Sequence, residues 1–173
     1  METKKIDLSY GKGKKTLYIP ESNLAGFLKP ISTDKRFKPE EALSAALDNP
    51  VDGKKLENLV AGKKVCVTIE DYSRSEPHKE IVSALSARLG RAGMVQYIVA
   101  TGTHNPTDER NLKIKSMIED ISNSLSLNFD VAINDAKAPA PAFDYVGTTA
   151  RGTEVRVNKK ALDADIFVTA ADM

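Results

Sequence analysis

Several scarcities narrow what this chain can be. It has a single cysteine, Cys66, inside the apolar run Val65-Cys66-Val67-Thr68-Ile69. With no partner it excludes a disulfide framework and points to a reducing, cytoplasmic setting. As a metal ligand it would stand alone, so it reads as a buried structural thiol. Charge of one sign is scarce as well: 25 Lys and Arg face 24 Asp and Glu, a net charge of +1. No global field therefore draws the chain to nucleic acid or to an anionic membrane, and any anion binding must be local. No apolar run approaches the ~18 residues of a membrane span, and no secretory segment opens the chain. Glycine-rich phosphate fingerprints are missing, which excludes the usual dinucleotide site and the P-loop. A Gly-x-Ser-x-Gly elbow is missing too, which disfavours an unrelated hydrolase.

What is present suffices for one α/β domain over residues 1–173, since 41% of the chain is hydrophobic. Ile6, Leu8 and Tyr10 alternate with polar residues, Gly11 to Lys14 supplies a turn, and Leu17 and Ile19 resume the alternation, so an amino-terminal hairpin is expected. Lys12, Lys14 and Lys15 in that turn read as a solvated cluster, with no interleaved aromatics to stack nucleic-acid bases. Pro30 to Lys38 is polar and proline-flanked; Pro39-Glu40-Glu41 then opens a helix that ends before Asp48-Asn49-Pro50, and a short helix follows over Lys54 to Val60.

The richest stretch runs from Val65 to Pro106. Two apolar strands, Val65 to Ile69 and Val95 to Ala100, each end in a polar set: Asp71-Tyr72-Ser73-Arg74 and Thr101-Gly102-Thr103-His104. In an open parallel sheet all carboxyl ends share one edge, so Asp71, Arg74 and His104 should converge. A carboxylate, a fixed cation and an imidazole in one crevice suit proton chemistry on an anionic substrate. The crossover helix between the strands shows Ser73 and Glu76 in capping-box spacing, Pro77 near its start, and the stripe Ile81, Val82, Leu85 and Leu89. Its amino end should lie beside Arg74, where free amides would help hold a phosphate or carboxylate. After His104, Asn105 to Asp108 starts a second helix, with Leu112, Met117, Ile118 and Ile121 on its apolar side.

From Leu125 to Ile133 the period changes to two, which predicts a strand; Ala136 to Pro141 is a small-residue loop. Tyr145 to Thr149 and Thr153 to Val157 predict short strands turning at Arg151-Gly152. Asn158 caps a brief helix before the strand Ile166 to Val168, after which the chain looks cut off at Met173. The expected fold is a mostly parallel sheet flanked by helices in three α/β/α layers, with the hairpin in front. Plainer readings stand beside the functional one. Asp71 and Arg74 at i and i+3 could form a salt bridge that ties down a turn, His104 could be a hydrogen-bonded structural histidine, and His78 reads as surface.

Three motifs carry a resemblance. DYSRSEP at Asp71 to Pro77, ATGTHNPTDE at Ala100 to Glu109 and VGTTARGTEVRVNKKALDADIFVTAAD at Val146 to Asp172, with YIPESNL at Tyr18 to Leu24 and NPVDGKKLENLV at Asn49 to Val60, resemble the amino-terminal domain of the nickel-dependent lactate racemase family. The resemblance covers nearly the whole chain. It implies a two-domain α/β protein with the active site between the domains and a nickel-pincer nucleotide tethered to a lysine. It also implies reversible hydride removal from the carbon bearing the hydroxyl, with histidines exchanging the hydroxyl proton.

By the same resemblance His104 is a general acid/base. Arg74 holds a small hydroxyacid substrate, Asp71 lies at both substrate and cofactor, and Ser73, Thr101, Gly102 and Thr103 lie at the cofactor. The family's second histidine, glycine-rich turn, cofactor lysine and nickel-binding histidine would lie beyond Met173, in a carboxy-terminal domain that is the expected partner. The chain alone would then bind no cofactor and be inactive, and apolar surface meant for that domain could drive self-association. Asn105 stands where many members have arginine and Asn134-Asp135 where many have His-Asp, so the preferred hydroxyacid can differ from lactate. The alternative, from another class, is a stand-alone module that binds a small anion or nucleotide without chemistry.

Overall fold

The computed structural model describes residues 2–29 and 38–171, and the chain divides into two compact units, 1–36 and 37–173. In the first, β1 (Thr3–Tyr10) pairs antiparallel with β2 (Gly13–Pro20) across the turn at Gly11-Lys12, followed by a 3₁₀ turn over Glu21–Asn23. Gly11 has φ 57°, a left-handed conformation that glycine adopts without a Cβ penalty. The proline-flanked stretch from Pro30 lies, up to residue 37, outside the described residues.

The second unit holds α1 (Pro39–Asp48), α2 (Leu56–Leu59), β3 (Lys64–Glu70), α3 (His78–Ser86), β4 (Met94–Ala100), α4 (Glu109–Ser124) and β5 (Phe129–Ile133). After these come β6 (Phe143–Thr148), β7 (Glu154–Asn158), α5 (Lys159–Leu162) and β8 (Ile166–Ala170). Four strands form one parallel sheet in the order β5-β4-β3-β8, while β6 and β7 form a separate antiparallel ribbon. This is the expected parallel α/β sheet with helices on its faces and an amino-terminal hairpin. Among the described residues no helix is long and apolar enough to cross a membrane.

Alternation along the strands sends two residue sets to opposite faces. Val65, Val67, Ile69, Val95, Tyr97, Val99 and Val131 are buried on one face with Val82, Leu85, Leu89, Ile114 and Ile118 from α3, α4 and the turn after α3. Each such side chain contributes roughly 1.5–3 kcal/mol. The other face holds a smaller cluster of Cys66, Ile98 and Ala161, the last from α5. At the amino ends of β3 and β4 the backbone closes tightly: Gly93 N donates to Lys63 O at 2.8 Å, and a Cβ on Gly93 would stand 2.9 Å from Gly62 O.

Four local expectations need correction. Ser73 does not cap α3; its hydroxyl donates to Asp71, and the helix starts at His78 with no side-chain cap. The inward face of α4 is rotated, because Leu112 is exposed while Asn111, Ile114, Ile118 and Ser122 are buried. The strand expected from Leu125 starts only at Phe129, because Leu125 closes α4 and Ser126 takes φ 53°. The helix expected over Lys54 to Val60 spans only Leu56–Leu59.

Candidate functional site

The carboxyl ends of β3 and β4 are paired, Glu70 opposite Ala100, so the loops that follow them start side by side. The first loop turns at once, with Arg74 N donating to Asp71 O at 3.3 Å, and the second likewise, with His104 N donating to Thr101 O at 2.9 Å. Gly102, at φ 55°, permits that second turn. A pocket of about 160 Å³ opens between them, lined by Glu70, Asp71, Ser73, Arg74, Ala100, Thr101, Gly102 and His104.

Asp71 is its centre. Only 3% exposed, its carboxylate accepts from the Ser73 hydroxyl at 2.6 Å and the Ser73 amide at 3.1 Å on one oxygen, and lies 2.7 Å from His104 Nδ1 on the other. Burial opposes ionisation, but the bonds from Ser73 and His104 prevail and hold the carboxyl below the usual carboxylate range. An ionised Asp71 can only accept, so Nδ1 carries the proton and a neutral His104 ring keeps its Nε2 lone pair free. The His104 side chain is 49% exposed, open to an incoming group. A plain Asp71–Arg74 salt bridge is not what forms. Arg74 Nε instead stands 3.9 Å from Glu70 Oε2, a buried oxygen with no hydrogen bond. Thr101 is buried and spends its hydroxyl on Asn134 O at 2.5 Å, and Thr103 is exposed and does not line the pocket. His78 is not simply surface, since its Nε2 lies 3.1 Å from Glu70 O.

Three residues at the site, Tyr72, Arg110 and Asn111, are given no role by the sequence reading. The Tyr72 ring lies 6.1 Å from the His104 ring, and the Arg110 guanidinium stacks on Tyr72 at 3.5 Å. Arg110 also grips Asp108, holding that carboxyl down to about 2. Asn111 is fully buried and bonds to both loops, accepting from Tyr72 N at 3.3 Å and donating to Asn105 O at 3.1 Å. A polar residue in the first turn of a helix carries no hydropathy signal, and the only clue was that two polar loops needed backbone partners.

The family profile described as the lactate racemase N-terminal domain matches residues 10–172. The chain is 30% identical over 170 residues to a lactate racemase of Lactiplantibacillus plantarum, covering 95% of this chain and 39% of the relative. It is 28% identical over 169 residues to a lactate racemase of Thermoanaerobacterium thermosaccharolyticum, covering 94% of this chain and 38% of the relative. The solved structure of the lactate racemase apoprotein from Thermoanaerobacterium thermosaccharolyticum shares the fold, with a TM-score of 0.71 at 24% identity over 96% of this chain and 38% of that one. The chain thus spans less than half the length of the relatives it matches. On a match that runs through both loops of the pocket, the chain belongs to the lactate racemase N-terminal domain family.

Proposed function

We propose that this chain is the amino-terminal part of a racemase or epimerase of small α-hydroxyacids, and that the Asp71–His104 pair performs the proton transfer. The observation that carries the reading is the 2.7 Å contact between His104 Nδ1 and a buried Asp71 carboxylate, in one pocket with Arg74. With Asp71 holding Nδ1–H, His104 Nε2 takes the proton from the substrate hydroxyl and later returns it. Asp71 steadies the ring while it is charged. Arg74, its side chain 62% exposed, offers a guanidinium fork to the substrate carboxylate.

A nickel-pincer nucleotide suits this pocket in part. Arg74, Ser73 and the backbone at Gly102 offer donors to an anionic group, and the unbonded Glu70 Oε2 offers an acceptor to a hydroxyl. When bound, the nucleotide would supply a hydride acceptor for the carbon that bears the hydroxyl. Among the described residues no three His, Cys, Asp or Glu side chains gather to hold a metal ion. By the family resemblance the nickel ligands and the tethering lysine belong to a carboxy-terminal partner domain, and this chain by itself should turn over no substrate. The test is D/L interconversion of lactate and other 2-hydroxyacids by the complete, cofactor-loaded protein. His104→Ala should lower kcat by about 10²–10⁴, and full activity in that variant would remove His104 from the reaction.

A further inference from the structure

We propose that Asn111 is the positioning residue of this site, a single carboxamide that sets the two loops so that Asp71 meets His104. The inference rests on the reading of His104 as the acid/base. Asn111 stands in the first turn of α4 and is 0% exposed. Its Oδ1 accepts from Tyr72 N at 3.3 Å and its Nδ2 donates to Asn105 O at 3.1 Å. Tyr72 directly follows Asp71 and Asn105 directly follows His104, so the amide grips the chain one residue beyond each member of the pair.

The chemistry of the two partners dictates the residue type. Tyr72 N–H can only donate and Asn105 C=O can only accept, so the side chain between them must present one acceptor and one donor in a fixed fork. Asparagine does this, whereas aspartate lacks the donor and leucine lacks both. The loops come from different strands, and Asp71 and His104 are 33 positions apart. Fixing their backbones in advance leaves the Asp71 Oδ2 to His104 Nδ1 bond little to organise for itself, which preserves the tautomer with Nε2 free. Asn111 touches no reacting atom; its effect runs through the loops to His104.

The chain's two histidines make the test direct. In chain labelled with ¹⁵N-histidine, His104 should show the Nδ1–H form, while His78, whose Nε2 meets Glu70 O at 3.1 Å, serves as an internal reference. In Asn111→Leu, His104 should lose the Nδ1–H signature and move to the averaged ring signals of a free imidazole, with His78 unchanged. Asn111→Asp keeps the acceptor for Tyr72 N and loses the donor to Asn105, and should shift His104 in the same direction. The proposal falls if His104 keeps its signature in a folded variant, or if His78 moves with it, which would make Asn111 a general support of the fold. Failure of both variants to fold would also overturn it. The spectra need no substrate, so this result and the activity of His104→Ala can fail separately.

Discussion

The two faces of the four-stranded sheet are built to different standards. On the face under α3 and α4, seven strand residues from Val65 to Val131 are buried against helix side chains. Tyr97 even buries its hydroxyl by pairing it with Ser86 at 2.7 Å. On the other face Cys66 and Ile98 meet Ala161 of the short α5 with the half-buried Val157 and Ala164, while Phe167 on β8 remains 54% exposed and Lys160 reaches across to Asp130 at 2.6 Å. The dense face fixes the strands, and the site hangs from their ends. Precision at Asp71 and His104 is thus inherited from packing on one side of the sheet.

The contrast predicts a ranking of effects. Ile118→Ala on α4 opens a cavity in the dense face and should cost about 2–5 kcal/mol in urea unfolding. Asp71→Asn, at the rim where the faces meet, should cost about 1–3 kcal/mol at pH 7, since it weakens the bonds from Ser73 and His104. The pH dependence has a defined sign. The native carboxyl lies below its ordinary value, so its stabilisation is complete above ~3.9 and is lost as pH falls through the lower native value. Unfolding at pH 7 and at pH 3 should therefore show the gap between Asp71→Asn and the unaltered chain narrowing in acid. Phe167→Ala on the open face should change stability by no more than about 0.5 kcal/mol, and a cost equal to that of Ile118→Ala would abolish the contrast.

The smallest expected signal is an absence of reaction. Burial pushes the Cys66 thiol up to about 11, so a thiol reagent at pH 8 should leave the folded chain unlabelled and label it fully in urea. As pH rises from ~8.5 toward that value the unfolded thiol ionises first, so stability should decline over that window.

The strands and the pair at their ends were legible for a shared reason. In Val65 to Ile69 and Val95 to Ala100 apolar residues dominate, interrupted only by Thr68 and Gln96, and each run stops abruptly at residues that carry chemistry. The errors came where one residue served two demands. Ser73 has the spacing of a helix cap, yet Asp71 lies two residues back and takes its hydroxyl. Leu125 continues an alternation by eye, yet it closes α4. On α4 a hydropathy reading turns Leu112 inward, because nothing in the pattern reveals that Asn111 satisfies Tyr72 and Asn105. Contacts from side chain to backbone leave no periodic trace.

The strand order has a consequence for how the sheet assembles. β3, β4 and β5 pair in the order in which they are made, each with its successor in the sheet, and need only one helix between them. β8 docks on β3 from far along the chain: Lys64 N reaches an Asp165 oxygen 101 positions away. Closing so long a loop carries an entropic cost that the nearer pairings avoid. The core of β3, α3, β4, α4 and β5 should therefore form first, with β8 as the last strand to zip. Until it does, one edge of β3 is an unpaired ladder able to recruit a strand from another chain, so the slowest step of folding is also the moment of greatest exposure to aggregation.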